Sequence, residues 1–207
     1  MESDLKKENS RSIYCIMVAS LVASAFFQFG APSASNLVEL AVAGSGSLII
    51  SAVLVMIANL LPQSIKHKLI FTRFNNELPG GRVDRLCKRD PRLEYELVEN
   101  RWPEVFADDI DSATRNSRWY QQIYKPVKNV SEVLQAHRSF LLYRDAFTGL
   151  LLIFLATAIW SLIGESPYLG QLKPSVLMVQ GALVIASLVA ARIAGNRFVV
   201  NAVSAAD

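Results

Sequence analysis

Four long stretches without a single charged side chain constrain the fold of this 207-residue chain more than any other feature. They cover residues 13–38, 40–61, 146–164 and 174–191. A helix needs about 20 mainly apolar residues to cross a hydrocarbon core of roughly 30 Å. The overall composition, 52% hydrophobic and 19% charged, is only modestly unusual. It is therefore the segregation of charge that excludes a disordered chain and an ordinary soluble domain, and that indicates a membrane protein.

These stretches predict four transmembrane helices arranged as two hairpins. Glycine, proline and serine in the short connection within each pair favour tight loops. We therefore predict an all-α membrane protein in which the two hairpins flank a small, mostly helical cytoplasmic domain. The predicted parts are a cytoplasmic tail at 1–12, a hairpin at 13–61, the cytoplasmic domain at 62–145, a second hairpin at 146–191 and a cytoplasmic tail at 192–207.

The distribution of lysine and arginine predicts the orientation of these spans. Twenty of the 21 lysines and arginines lie in the two tails and the central segment, and only Lys173 lies in a short loop. Positively charged segments stay on the cytoplasmic side, so both termini and the central domain are expected there. The first span also has the basic flank of a signal peptide. A transmembrane helix is preferred because no convincing cleavage site precedes polar sequence and another span follows at once.

No recognisable motif for catalysis or metal binding occurs in the sequence. Cys15 lies in a predicted span and Cys87 in the cytoplasmic segment, so no disulfide framework is expected. The two histidines are widely separated from each other and from the cysteines, which argues against a zinc site. Phosphate loops, nucleophile elbows and zincin motifs are absent from the sequence. We predict no enzyme activity and no cofactor, and we interpret His137 as a core histidine with a hydrogen-bond partner.

Small residues along the second predicted span indicate a close helix–helix contact. Ala43, Ser47 and Ser51 recur every four residues, a spacing that lets helix backbones approach each other in lipid. The contact lies either within one chain or between copies, where it forms an oligomer interface or lines a pore. Glu39, near the end of this span, is either a hydrated interfacial carboxylate or, in a symmetric oligomer, part of a cation-favouring ring.

The central segment combines a basic cluster with nearby aromatic residues. Between residues 66 and 92 there are eight basic and three acidic side chains. One interpretation is a positive-inside signal that contacts anionic lipids. The other is a site for a nucleotide or single-stranded oligonucleotide, whose phosphates bind cations and whose bases stack on aromatic rings. The candidate ligand-binding residues are Arg82, Arg85, Lys88, Arg89, Arg92, Arg118, Trp119 and Tyr120.

The layout, with the segments RFNNELPGGR, CKRDPRL, RNSRWYQQIY and HRSFLLYRD, resembles small four-span membrane effectors of bacterial anti-phage defence. Within that group it is most similar to the effector of Hailong-type defence, with the Kiwa membrane component as the nearest competitor. The resemblance implies a homo-oligomeric, tetrameric ion channel in the bacterial inner membrane. It further implies that a single-stranded DNA oligomer, made by a nucleotidyltransferase encoded nearby, holds the channel shut and that its loss depolarises the cell.

Two functions remain open from the sequence. The first is a ligand-gated membrane effector or channel. The second is a non-channel membrane sensor or scaffold that recruits a cytoplasmic partner protein. Only the first requires the small-residue faces and the basic and aromatic patch, and an adjacent nucleotidyltransferase gene would favour it.

Overall fold

The computed structural model describes residues 2–30, 53, 57, 60–75, 78–164 and 171–207, without the side chains of residues 2–7 and 163. Every regular element in these residues is helical. Three helices are long and apolar enough to cross a membrane, and they cover Glu8–Phe29, Ser131–Leu162 and Pro174–Ala206. The predictions of a helical protein and of three apolar helices at these places are confirmed at this level.

The second predicted span, 37–61, lies almost entirely outside the described residues. The candidate interface residues Glu39, Ala43, Ser47 and Ser51 lie outside them as well. The four-span topology and the small-residue interface therefore stay predictions.

The described elements follow one another along the chain in a simple order. They are α1 (Glu2–Phe29), α2 (Gln63–Phe71), a 3₁₀ turn (Pro79–Arg82), α3 (Val83–Cys87), α4 (Tyr95–Arg101), α5 (Pro103–Phe106), α6 (Ser112–Arg118), a π-helical segment (Trp119–Tyr124), α7 (Lys125–Val127), α8 (Ser131–Ile163) and α9 (Pro174–Ala206). The chain divides into two compact units. Unit 1 comprises Met1–Pro62 and Leu142–Val189, and unit 2 comprises Gln63–Leu141 and Ala190–Asp207. Helices α8 and α9 each contribute residues to both units.

Close packing of aliphatic side chains forms the core of unit 1. Ile13 and Met17 of α1 meet Ile153 of α8 in one buried cluster. Gly149 allows this approach, because a Cβ atom at that position would lie 2.8 Å from Met17 Sδ. Packing of this kind, rather than the hydrophobic effect, holds helices together in lipid.

Buried polar side chains in unit 1 form hydrogen bonds between separate parts of the chain. Gln180 Nε2 of α9 donates to Ser24 Oγ of α1 at 2.9 Å. Gln28 donates to the carbonyl oxygen of Gln171 and accepts from the backbone N–H of Lys173, both at 3.0 Å. Internal hydrogen bonds of this kind are what a helix needs in hydrocarbon, where water is absent.

Two adjacent charges at the start of the third apolar stretch neutralise each other. Arg144 and Asp145 are both buried, and two parallel hydrogen bonds of 3.1 and 3.2 Å join the guanidinium to the carboxylate. Breaking such a buried pair is costly because it leaves one charge uncompensated.

Local stop and start signals set the short helices of unit 2. Asp111 is the N-cap of α6, and its carboxylate accepts hydrogen bonds from the backbone N–H groups of Ala113 and Thr114. Proline occupies the first turn of α5, where its missing N–H costs nothing. Helix α2 ends at Phe71 because Thr72 adopts a left-handed conformation with φ of 49°.

An aromatic cluster around Phe198 forms the centre of unit 2. Its ring stacks on the His137 ring, with 4.6 Å between centroids, and meets the edges of Trp119 and Tyr124. The Tyr124 hydroxyl lies 3.0 Å from His137 Nδ1. The interpretation of His137 as a histidine with a hydrogen-bond partner among core residues is confirmed.

Residues 192–207 take part in the fold of unit 2. The sequence predicts a cytoplasmic tail there, whereas the structure continues α9 to Ala206. Val199, Ala202 and Val203 are completely buried there. Apolar side chains every three to four residues give this helix one buried face, which is why it packs instead of trailing away.

Candidate anion-binding site

Arg82 of unit 2 lies within electrostatic range of three further arginines, Arg73, Arg85 and Arg192. We refer to these four residues as the arginine cluster. Arg82 and Arg85 are among the residues predicted from the sequence. In the part of the chain that the structure describes, none of the four pairs with a carboxylate.

Arg82 lies at the centre of the cluster and is held by an aromatic ring and an amide. Its guanidinium carbon lies 4.6 Å from the centroid of the Phe71 ring. One terminal nitrogen donates to Asn196 Oδ1 of α9 at 3.4 Å, which is a long hydrogen bond. Its Nε is buried and has no hydrogen-bond partner among the described residues. Within that part of the chain, Arg82 thus retains strong donors without an acceptor.

Arg192 of α9 is anchored to the end of α2. Its Nε donates to the carbonyl oxygen of Ile70 at 2.6 Å, and a terminal nitrogen donates to Thr72 Oγ1 at 3.1 Å. A cation is favoured there because the carbonyl groups at a helix C-terminus carry partial negative charge. Residues 70–72 therefore hold Arg82 through the Phe71 ring and Arg192 through its hydrogen bonds.

The environment of Arg82 disfavours its positive charge. Burial lowers the pKa of Arg82, and repulsion by the charges of Arg73, Arg192 and Arg85 lowers this pKa further. The guanidinium remains charged at neutral pH because its ordinary pKa is so high. A positively charged group that is half-buried and surrounded by like charge is stabilised by a bound anion.

Other predicted basic residues already have partners in the fold. Arg92 makes two hydrogen bonds to the Asp90 carboxylate and one to Asn201 Oδ1. Lys88 Nζ lies 4.7 Å from the centroid of the Tyr95 ring. Arg118 donates to the carbonyl oxygen of Glu104 at 2.6 Å. Arg89 is exposed on the surface, without a described partner.

The two predicted stacking residues differ in accessibility. Trp119 is only 3% exposed, and its ring packs on Tyr124 and against Phe198 inside the core. A base therefore has no free face of Trp119 on which to stack. Tyr120 is 51% exposed and contacts the Tyr124 ring, so it is the accessible aromatic residue of the pair.

Sequence reasoning missed Arg73 and Arg192 as members of the site. In the sequence Arg192 indicates only the orientation of the chain, because the predicted tail begins at this residue. The signal that could have placed it is the apolar periodicity of the following residues, which favours a continuing helix. Nothing local in the sequence indicates that this helix meets residues 70–72.

Both cysteines are free thiols, and neither belongs to the site. Cys87 is buried in α3, and burial followed by the nearby charges of Asp90 and Asp84 raises its pKa to about 12. Its thiol therefore stays protonated and unreactive at neutral pH.

Comparisons of this chain with protein-family models, with curated proteins and with solved structures find no match.

Proposed function

We propose that this protein is an oligomeric membrane effector whose unit 2 binds a phosphate-bearing nucleotide or single-stranded oligonucleotide. The observation that carries the proposal is the arginine cluster, which collects four cations with no carboxylate partner in the described chain. Basic residues that only set the orientation of the chain need positive charge, but they do not need neighbouring residues that fix their side chains. Here the aromatic ring of Phe71 and the backbone of α2 fix two of the four side chains.

Helix α9 offers a physical route from ligand to membrane. It carries Arg192 and Asn196 near its middle and a charge-free apolar stretch, 174–191, before them. A helix transmits displacement along its axis because its backbone hydrogen bonds make it stiff. In this proposal the bound ligand sets the position of α9 and thereby the ion permeability of an oligomeric channel, which depolarises the bacterial inner membrane when it opens during phage infection.

The proposal is tested with full-length protein in nanodiscs of neutral lipid. The probe is a hexathymidine oligonucleotide with a 5′-phosphate, and its binding is measured across a salt series. We expect affinity to fall steeply as salt rises, since binding releases counterions. Arg82→Gln should weaken binding at low salt by about tenfold, the cost of one lost charge-assisted hydrogen bond. Arg118→Gln is the matched control, because it removes one positive charge from a side chain outside the arginine cluster.

Two outcomes would count against this function. If the wild type binds no oligonucleotide at low salt, the basic residues are an orientation signal and the scaffold alternative gains. If Arg82→Gln and Arg118→Gln weaken binding equally, the cluster has no special role. Ion flux into vesicles that contain the protein, with and without bound oligonucleotide, then tests whether the ligand controls a channel.

A further inference from the structure

The unfilled donors of Arg82 indicate a specific kind of anion. A guanidinium presents five N–H donors in a planar fork. Toward the residues that the structure describes, that of Arg82 makes one long hydrogen bond, to Asn196 Oδ1. Its Nε is enclosed by the fold and has no partner among the described residues. An anion with several oxygen atoms would therefore accept hydrogen bonds from the terminal nitrogen atoms of this guanidinium.

The charge of the cluster exceeds what one phosphodiester group neutralises. The charges of Arg73, Arg192 and Arg85 all act on Arg82, whereas a diester linkage carries a single negative charge. A terminal phosphate carries a charge of about −1.5 to −2 at pH 7 and three acceptor oxygens. The balance of charge therefore favours a terminal phosphate over an internal one.

The Asp90 carboxylate already neutralises Arg92, which reduces the number of basic side chains beyond the cluster that could follow a polymer. A protein that follows the backbone of a single strand uses a positively charged groove and successive stacking rings. Trp119, one of the two predicted stacking rings, is buried in the core. The arrangement suits one concentrated anion better than an extended polymer.

The two best-placed side chains are fixed before any ligand arrives. The Phe71 ring lies against the Arg82 guanidinium, and Ile70 and Thr72 hold that of Arg192. Both anchors belong to the same three residues at the end of α2. Ordering of this kind lowers the entropic cost of binding and favours a ligand of matching shape.

We propose that the arginine cluster is a binding site for a phosphate monoester. Arg82 and Arg192 donate hydrogen bonds to the phosphate, and Arg73 and Arg85 supply further positive charge. This inference rests on the proposed function, because it takes unit 2 as the ligand-binding part, and it narrows the ligand to one that ends in a monoester. Two sources present this group: the terminal phosphate of a nucleotide or oligonucleotide, and the headgroup of phosphatidic acid.

The deciding experiment compares two probes that differ only in the end group. Full-length protein in neutral nanodiscs is titrated with hexathymidine carrying a 5′-phosphate and with the same oligonucleotide carrying a 5′-hydroxyl, at one low salt concentration. We expect the phosphorylated form to bind at least about tenfold more tightly, since charge-assisted hydrogen bonds are the strong ones. This comparison uses the wild type and does not depend on the folding of any variant.

Two variants and one control test which side chain recognises the 5′-phosphate. Arg82→Gln should remove most of the preference for the 5′-phosphate. Arg82→Lys should also lose much of it, because an ammonium keeps the charge but lacks the planar fork. Arg118→Gln should leave the preference intact. A cluster that acts through charge alone would instead retain its preference in Arg82→Lys.

A lipid arm of the experiment separates the two sources. Nanodiscs that contain phosphatidic acid are compared with nanodiscs that contain the diester phosphatidylserine at equal negative charge. If only phosphatidic acid displaces the phosphorylated oligonucleotide, the monoester-binding site is supported and its ligand is the lipid headgroup. If neither lipid displaces the phosphorylated oligonucleotide, the monoester-binding site is supported and its ligand is the terminal phosphate of the oligonucleotide.

Other results overturn the inference. Equal affinity for the 5′-phosphate and 5′-hydroxyl probes would exclude a monoester-binding site. If Arg82→Gln also abolished the binding of both probes, the proposed function would still be supported. Displacement by both lipids to the same extent would show charge without monoester selectivity, with the same consequence. Absence of binding by either probe at low salt would remove the proposed function and this inference together.

Discussion

Unit 1 and unit 2 bury their side chains by contrasting means. Unit 1 packs aliphatic residues such as Met17 closely against Gly149 and bonds its buried amides, such as Gln180, to another helix. Unit 2 centres on stacked and edge-on aromatic rings and leaves the arginine cluster without carboxylates in its described part. The contrast teaches that aromatic rings around Phe198 add to the aliphatic core of unit 2, whereas the described cluster of unit 1 is aliphatic.

Substitution of Phe198 tests this comparison most strongly, because we expect it to lower the free energy of unfolding more than the other changes do. Phe198→Ala removes a ring that contacts Trp119, Tyr124 and His137, and it should cost about 3–5 kcal/mol of the free energy of unfolding. Phe26→Ala in unit 1 is the control, since that ring is 54% exposed and packs on Phe27. The measurement is denaturant unfolding in micelles followed by tryptophan fluorescence. Similar costs for the two variants would show that the aromatic cluster has no special weight.

A pair of identical substitutions on α9 sharpens the contrast between the units. A Cβ at Gly195 in unit 2 would lie 2.9 Å from ring atoms of both Phe140 and Phe71. Gly195→Ala should therefore destabilise the protein by about 1–3 kcal/mol through overpacking. A Cβ at Gly181 in unit 1 would meet Phe154 at an ordinary 3.7 Å. Gly181→Ala should be neutral or stabilising, because alanine is the better helix former.

Thermal unfolding of both variants in the same detergent checks this pair. Equal midpoints would mean that the rings near Gly195 move aside without cost, and that unit 2 is less tightly packed than its geometry indicates.

The smallest expected effect concerns the cap of α6 and its dependence on pH. Hydrogen bonds from Thr114 and Ala113 lower the pKa of Asp111 below its ordinary value of 3.8. A lowered pKa means that the ionised carboxylate stabilises the fold above pH 4 or so, and that this contribution is lost as the pH falls through the lowered pKa. Asp111→Asn keeps an oxygen acceptor for the cap but removes this pH dependence.

The thermal midpoints of wild type, Asp111→Asn and Asp111→Ala are compared at neutral and at acidic pH. At neutral pH we expect the order wild type, asparagine, alanine, from most to least stable. The advantage of the wild type over Asp111→Asn should vanish in acid. An advantage that persists there would mean that the carboxylate charge contributes nothing to the cap.

The apolar helices could be predicted because their signal is local. Length and absence of charge within one stretch suffice to place α1 and the apolar parts of α8 and α9. The burial of Trp119 could not be predicted in this way, because it depends on Phe198, which lies far along the chain. Aromatic residues beside arginines look alike in sequence whether they stack on a ligand or on one another.

The candidate site was predicted only in part, for a related reason. A run of basic residues draws attention to Arg82 and Arg85, but it does not tell which cations have acceptors nearby. Arg92 is engaged by Asp90, two residues before it, whereas Arg82 is not. The contribution of Arg192 depends on its contact with Ile70, and no local pattern encodes a contact between such distant residues.

The composition of unit 2 from two separated segments affects how the protein is made. Residues 142–189 leave the ribosome after Gln63–Leu141 and before Ala190–Asp207. At about 5–20 residues per second, translation leaves the first segment without its closing helix for several seconds. During that time the rings of Tyr124 and Phe140 lack the partner that Phe198 later provides. During synthesis the incomplete unit 2 is a target for chaperones and proteases. Its escape from degradation depends on the synthesis of Ala190–Asp207, which completes the unit.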